Sequence, residues 1–350
     1  MGKAVVHVRC HGSSGTQDSI IRKNRDAMAS QLKVKILSDQ NKYSPSAANR
    51  NHRIFIMALL EDLQKPVTSL ESFKRITIRT LNYLPEVTSS VTQNKGYTII
   101  HSTQASTKKY SRPFRTNLFI QDPKIFDKKF EHFLHILSKA ADKRNVFEEE
   151  DYLVVDTVTY TIQQSISISL DLLGNQNANR KHVGNRFEEL IKLMVSTIGI
   201  ANKKIVLKIP YEDKGIYSCE TDFIFSPYKA VKSDSTRIEE NEIVVSLKTS
   251  SKDRMGKIFI DKILMSRFVN RDVKVIGIFL NDVQRKEKDK VGCTFVAGLF
   301  MVYTKFLTNL DGIYFVDPPP HAKKIPYSRY IKRFSKFLLQ DARNLLDAST

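Results

Sequence analysis

Four residues in the second half of the chain have the types and order that suit phosphate chemistry: Glu188, Asp222, Lys248 and Asp261. Asp222 lies in Cys219-Glu220-Thr221-Asp222-Phe223-Ile224-Phe225, a predicted strand, and Lys248 ends the next predicted strand. Asp261 follows thirteen positions later (261 − 248), two or three turns into a predicted helix. If the two strands pair, Asp222 and Lys248 emerge at one edge of a sheet. Asp261 then leans back over the strand ends, and Glu188 approaches from an earlier helix. Three carboxylates are hard oxygen donors of the kind that hold Mg²⁺. Such an ion polarises a scissile phosphate and acidifies a bound water. The ammonium of Lys248 offsets developing charge, and helps orient or deprotonate the attacking water. Taken singly, each residue also has an ordinary reading. Asp222 suits a turn cap, Glu188 and Asp261 suit solvated helix faces, and Lys248 suits a basic surface shared with Lys252. The combination, not any one position, points to phosphodiester hydrolysis.

The elements that must position these groups follow from the apolar pattern. A helix is predicted from Val183 to Thr197, with Phe187, Leu190, Ile191, Met194 and Ile198 on its buried side. Strands are predicted at Lys204 to Ile209, Tyr217 to Phe225 and Glu242 to Thr249, and a helix at Asp253 to Phe268. Val273 to Leu280, Thr294 to Phe300 and Gly312 to Val316 read as further strands, and Tyr327 to Leu346 as the last helix. Helix, three strands, helix, strand is an α/β layer around a mixed sheet.

The first half is less patterned. Val5-Val6-His7-Val8 suits a short strand. Gly12-Ser13-Ser14-Gly15-Thr16 is a loop without the spacing of a phosphate-binding loop. Helices are predicted at Ile54 to Leu63, at Ser69 to Leu84, and from Asp122-Pro123 to Asp142 with Phe126, Phe130, Phe133, Leu134 and Leu137 in one stripe. His132 and His135 read as surface or core residues. Residues 96–120 interleave Lys108, Lys109, Arg112 and Arg115 with Tyr97, Tyr110 and Phe114. They suit either a DNA-backbone contact or a solvated loop followed by a strand at Asn117 to Ile120. An acidic run, Glu148 to Asp151, and a polar break, Gly174 to Asn179, suggest a division into an N-terminal α-rich or α+β domain (1–150) and a catalytic domain (175–350).

The net charge of +19 favours a polyanionic partner, because clustered Lys and Arg gain from releasing the counterions of a phosphate backbone. Cys10, Cys219 and Cys293 match neither a zinc site nor a disulfide framework, which suits a reducing compartment. No apolar run reaches membrane-spanning length. The expectation is a cytoplasmic protein without a membrane partner.

The segment Val245-Ser246-Leu247-Lys248-Thr249-Ser250-Ser251-Lys252-Asp253-Arg254 resembles the PD-(D/E)xK nucleases. Within them it is most similar to type II restriction endonucleases of the EcoRII catalytic-domain, SsoII and PspGI group. Those enzymes carry Lys-Thr-Thr/Ser-x-(Lys/Arg)-(Asp/Glu)-Arg at this place. Ser246 stands where most of the superfamily has a carboxylate, a departure the group shares, and Asp261 falls where the group puts its second carboxylate, usually Glu. Thr221-Asp222-Phe223-Ile224-Phe225 resembles the Pro-Asp-Phe-x-Phe element with Thr for Pro. Gly184-Asn185-Arg186-Phe187-Glu188 resembles the helix bearing the accessory glutamate, with Glu189 as its rival. The similarity spans Gly184 to Leu280.

The resemblance implies a restriction-endonuclease-like core, with a central mixed sheet flanked by helices. It implies a Mg²⁺-dependent, site-specific deoxyribonuclease, with Asp222 and Asp261 as the metal ligands. Lys252, Asp253 and Arg254 become the implied base-reading set: Arg or Lys donates to guanine, and Asp accepts from cytosine. A short palindrome containing G·C pairs would be cut by a homodimer, with Phe334, Phe337 and Leu338 as one choice of interface or core. A cognate methyltransferase is expected in the same system. Met255-Gly256 departs from the Trp-Arg common among relatives, so a contact from that arginine is missing. Two other classes remain: a nuclease of repair or recombination without sequence preference, and a DNA-binding protein without catalysis.

Overall fold

The computed structural model describes residues 56–347, except 60, 64, 105–106, 143–145, 174–175, 213–214, 252–253 and 288. The expectations for Val5 to Val8, for 12–16 and for Lys252 and Asp253 therefore lie outside the described residues. The chain divides into two compact units, Met1–Lys65 and Pro66–Thr350. In the first, 56–59 and 61–63 are helical, within the predicted helix there.

The second unit opens with α1 (Leu70–Val87), capped by Ser69, whose hydroxyl accepts from Ser72 N at 3.1 Å. A three-stranded antiparallel meander follows: β1 (Ser90–Asn94), β2 (Tyr97–Gln104) and β3 (Thr107–Tyr110). Next come α2 (Pro123–Ala141), α3 (Glu149–Leu173) and α4 (Gln176–Thr197). Asp122 caps α2 with one oxygen on the N–H groups of Lys124 and Ile125, at 2.7 and 2.9 Å, and Pro123 occupies the first turn. The acidic run marks no junction. Glu149, Glu150 and Asp151 form the first turn of α3, where carboxylates favour the helix dipole. Nearly every residue of α3 from Val154 to Leu172 is buried, and α1, α2 and α4 all pack on it. The expected division between 150 and 175 thus falls on the central helix of one compact unit.

The remaining strands are β4 (Ala201–Lys203), β5 (Val206–Pro210), β6 (Ile216–Glu220), β7 (Phe223–Ser226), β8 (Ile243–Ser250), β9 (Val275–Asn281), β10 (Val283–Lys286), β11 (Lys290–Cys293), β12 (Gly312–Phe315) and β13 (Ile331–Arg333). Helix α5 (Met255–Phe268) connects β8 to β9, and α6 (Ala297–Phe306) precedes β12. Among the described residues, six strands form one mixed sheet in the order β13-β12-β9-β8-β7-β4. The β8, β9, β12 and β13 neighbours are parallel, while β7 runs antiparallel to β8 and β4 to β7. Strands β5 and β6 pair separately as an antiparallel ribbon.

Aromatic side chains fill both faces of the sheet. On one, Phe279 stacks on Phe315 at 4.9 Å between ring centres, beneath Ile258, Phe259 and Phe300 of α5 and α6. On the other, Phe225 and Tyr314 meet Phe337 at 6.0 and 5.0 Å. Gly277 explains how closely α5 lies on the sheet. A Cβ there would come within 3.0 Å of Ile258 Cδ1 and 3.1 Å of Ile313 Cδ1.

Three expectations are corrected. Thr294 to Phe300 is the start of α6 and the loop before it, not a strand. Asn117 to Ile120 is a turn and bend. The last helix is preceded by a short strand, β13, and consists of Phe334–Lys336, a π turn at Phe337–Asp341 and Ala342–Asp347. Phe334, Phe337 and Leu338 are at most 2% exposed, so they are core.

Candidate active site

The chain changes sheets at Thr221-Asp222. Up to Glu220 it pairs with β5, and from Phe223 it pairs with β8. Thr221 anchors the change: its N–H donates to Ile205 O at 3.0 Å, and its hydroxyl accepts from Ile205 N at 3.2 Å. The next residue, Asp222, is therefore held at a fork between two diverging ladders. Opposite it, β8 runs beyond its register with β7, in which Phe223 faces Val245. The Leu247 N–H is thus past the end of the β7 ladder, and Asp222 Oδ2 accepts from it at 2.7 Å. Ser246 Oγ lies 3.5 Å from the same oxygen, and Lys248 Nζ donates to it. Both side chains of this ion pair are mostly buried, at 18% exposure for Asp222 and 23% for Lys248. No protein donor among the described residues reaches Asp222 Oδ1.

Alternation along β8 sends Val244, Ser246 and Lys248 to one face, where they line a pocket of about 370 Å³. The facing wall is one side of α5. Arg254, Lys257, Ile258, Asp261 and Met265 follow helical spacing and line the same pocket. Three of the four predicted catalytic residues, Asp222, Lys248 and Asp261, thus meet in one cavity. Asp261 is held by Lys257, whose Nζ donates to Oδ1 at 2.7 Å and to Oδ2 at 2.6 Å. Burial, and then the charge of Asp261, raises the nearby Cys219 thiol above the usual range.

Glu188 sits on α4, which packs across β8 through a buried face including Phe187, Leu190, Ile191 and Met194. It is outside the pocket lining. Its carboxyl is nevertheless raised above the usual range, first by burial and next by the negative charge of Asp222; Lys204 and Lys248 oppose the shift. Its rival points elsewhere. Glu189 accepts from Arg186 and, at 3.4 Å, from the Val67 N–H. Glu188 is thus the one of the pair that shares the field of Asp222 and Lys248.

Of the implied base-reading set, Arg254 is exposed and borders the pocket at the entry to α5. The basic and aromatic stretch at 96–120 is largely internal. Arg112 makes a two-pronged ion pair with Asp171, at 2.9 and 3.0 Å, and Arg115 pairs with the buried Asp317 at 2.6 Å. These two arginines hold the meander to α3 and to the strand ends, so the DNA-contact reading fails for them. His132 and His135 are exposed, and His132 lies 3.6 Å from Asp151.

Among the described residues, no three His, Cys, Asp or Glu side chains converge closely enough to cage a metal. Two carboxylates in one pocket are still a fitting donor set for Mg²⁺, which keeps several waters and uses one or two protein carboxylates beside substrate phosphate. Sequence reasoning missed Lys257. Its spacing, four before Asp261 and three after Arg254, was the available signal.

No family model and no curated protein matches the chain. Solved structures resemble it, two of them as follows. One is the crystal structure of the Type IIP restriction endonuclease Kpn2I, with 18% identity over 85% of this chain and 98% of that one, at a TM-score of 0.58. The other is the restriction endonuclease PspGI–substrate DNA complex, with 12% identity over 64% and 92% of the two chains, at a TM-score of 0.40. The α/β fold is that of a restriction endonuclease. Among the described residues, no helix is long and apolar enough to cross a membrane.

Proposed function

We propose that this protein is a Mg²⁺-dependent type II restriction endonuclease that hydrolyses double-stranded DNA at a short G·C-containing palindrome. One observation carries the reading: Asp222, fixed at the fork of β7 and β8, accepts from Lys248 in a pocket whose opposite wall presents Asp261. A restriction-endonuclease fold and the +19 charge of the chain support it.

Asp222 and Asp261 are the residues assigned to hold the ion. When bound, Mg²⁺ supplies positive charge at the scissile phosphate and acidifies a water. Lys248 places its ammonium where charge develops on the phosphate. Its mostly buried position strengthens that interaction relative to an exposed lysine. Glu188, whose proton is held more tightly than usual, is assigned to accept a proton or to order the water network behind Asp222. Arg254 is assigned to donate to guanine from the pocket rim, together with Lys252 and Asp253 on the same segment. Lys332, paired with Asp341, and Lys262, paired with Asp311, are structural cations and take no part.

Cutting both strands of a palindrome calls for two pockets, and we assign the second to another copy of the chain. Phe334, Phe337 and Leu338 are buried and give no surface for that contact. Helix α6 does: Leu299, Val302 and Phe306, spaced along one face, are 44%, 49% and 70% exposed. A cognate methyltransferase is the expected companion, without stable contact.

The test is digestion of a long unmethylated DNA of known sequence with Mg²⁺, followed by sequencing of the ends. Discrete ends sharing one short palindrome, absent without metal and in Lys248→Ala, are expected. Random cutting that still needs Lys248 would replace this reading with a repair-type nuclease. Binding without any cutting would leave a DNA-binding protein.

A further inference from the structure

In the pocket, each assigned metal ligand is held by its own lysine, but the two pairs differ in kind. Lys248 and Asp222 are both mostly buried, and their contact uses one carboxylate oxygen, Oδ2. Oδ1 of Asp222 is left without a protein donor among the described residues. Asp261 is the opposite case. Lys257 engages both of its oxygens, at 2.7 and 2.6 Å. Lys257 itself is half-exposed, at 53%, and sits one helical turn nearer the exposed Arg254. A lysine four residues before its carboxylate on a helix is in the weaker of the two possible orders, and Lys257 sits in the first turn, where a cation opposes the helix dipole. Asp261 is itself mostly buried, at 19%, so the lysine, with solvent on one side, is the member of the pair that can leave.

Resting on the nuclease reading above, we propose that Lys257 is a placeholder cation. It neutralises Asp261 in the free protein, yields the carboxylate to an incoming divalent ion, and then places its freed ammonium on a backbone phosphate of the DNA. Three features lead to this. Both oxygens of Asp261 accept from Lys257, so an ion that uses this carboxylate meets the charge of the lysine beside it. Lys248 is buried at the fork and has little room to leave, whereas Lys257 has solvent on one side. Finally, a displaced Lys257 stays at the rim beside Arg254, where a polyanion would enter. The exchange makes metal binding and phosphate binding mutually supportive, because the ion releases the lysine that the phosphate uses.

The test uses the whole chain and has readouts other than cleavage. Mn²⁺ binding to the DNA-free protein is followed by electron paramagnetic resonance for the wild type, Lys257→Met and Asp261→Asn. Lys257→Met keeps most of the length of the side chain and removes the charge. It should bind Mn²⁺ more tightly by about two- to five-fold, the factor expected from removing a partly exposed ion pair, and Asp261→Asn should bind it more weakly. DNA affinity is then measured against salt with Ca²⁺ as the probe ion and again without metal. With Ca²⁺, the slope of log affinity on log salt should fall by about 0.9 in Lys257→Met; without metal the two slopes should coincide. Unchanged Mn²⁺ affinity in Lys257→Met, or equal slopes with Ca²⁺, overturns the placeholder role. If DNA is still cut with a requirement for Lys248, the nuclease reading survives that failure. If wild type, Asp222→Asn and Asp261→Asn bind Mn²⁺ alike and no DNA is cut, the nuclease reading itself falls.

Discussion

Lys248 donates its ammonium to Oδ2 of Asp222, the same oxygen that accepts the Leu247 N–H at 2.7 Å. Backbone and side chain of one strand thus grip one carboxylate at the point where β7 and β8 part. Lys248→Ala should reduce cleavage by at least about 10²-fold, the scale of losing one positioned electrostatic donor. The strand order should survive, because the Leu247 N–H still caps Asp222. Fragment yield against time, with circular dichroism as the fold control, checks this. A variant that is well folded and fully active would remove Lys248 from the mechanism.

Glu188 and Glu189 are neighbours with opposite surroundings, so their substitutions should separate. Glu188→Gln should lower kcat/KM and leave thermal stability nearly unchanged. Glu189→Gln weakens the contacts to Arg186 and the Val67 N–H, and should lower stability by about 1 kcal/mol with little effect on cleavage. The pH dependence adds a sign. The folded protein holds the Glu188 proton above the ordinary glutamate range because of burial and the Asp222 charge. If the ionised form acts, activity should rise with pH through that raised value, later than an ordinary glutamate would allow. The pH profile of kcat/KM, with and without Glu188, shows whether this limb belongs to Glu188. A limb that persists unchanged in Glu188→Gln belongs to another group.

Much of this site is legible in the sequence because its parts obey short-range rules. Ile243-Val244-Val245 marks β8, helical spacing carries Asp261 to the face it occupies, and the α4 stripe places Glu188 on the side of β8. The choice between Glu188 and Glu189 is not legible, because it depends on the segment before α1 supplying the Val67 N–H from 122 residues away. Lys257 was missed for a related reason: a basic residue on an exposed turn looks the same whether or not a cavity lies beneath it. The expected boundary between 150 and 175 coincides with α3, a helix the sequence does not announce. Its Ser, Thr and Gln residues weaken the amphipathic signal, and burial on nearly all sides removes it. Thr294 to Phe300 read as a strand because its apolar residues are too few to separate a two-residue from a 3.6-residue period.

The exposed face of α6 gives a prediction about assembly. A stable pair needs roughly 800 Å² buried per partner, with an apolar centre. Leu299, Val302 and Phe306 offer such a centre on a helix packed against α5, through Phe259 and Tyr303 at 5.6 Å. Leu299→Asp with Phe306→Asp should convert a dimer to a monomer in analytical ultracentrifugation, and turn double-strand cutting of supercoiled plasmid into nicking. A dimer that persists in the double variant places the contact elsewhere.

Arg254 should act on specificity more than on rate. It is exposed and lines the same pocket as Asp222 and Lys248, at the entry to α5. Arg254→Ala should weaken binding to the cognate site by about 1–3 kcal/mol and relax selection at one G·C pair. A lysine contacting only phosphate would instead weaken all sequences alike. Competition binding with single-base-pair variants of the site distinguishes the two. Uniform loss across the variants would make Arg254 a backbone contact.

Asp156 offers a test of the scaffold that is independent of catalysis. It lies on α3, 2% exposed, and accepts from Ser335 N at 2.9 Å and Ser335 Oγ at 2.7 Å, which ties the central helix to the last one. Burial pushes its carboxyl up to about 7, against the two Ser335 hydrogen bonds and the Arg333 charge, which favour ionisation. A raised folded value means that the native state binds the proton more tightly than the unfolded chain. This contribution to stability is therefore fully present below the ordinary Asp range of 3.8 and is lost as pH climbs to about 7. Asp156→Asn keeps an acceptor for Ser335 and cannot ionise. Its Tm should fall less than that of the wild type as pH rises from about 4 to about 7. The wild type and Asp156→Asn melted side by side across that window decide the matter. Parallel curves would mean that Asp156 titrates normally and that the link from α3 to Ser335 carries no buried proton.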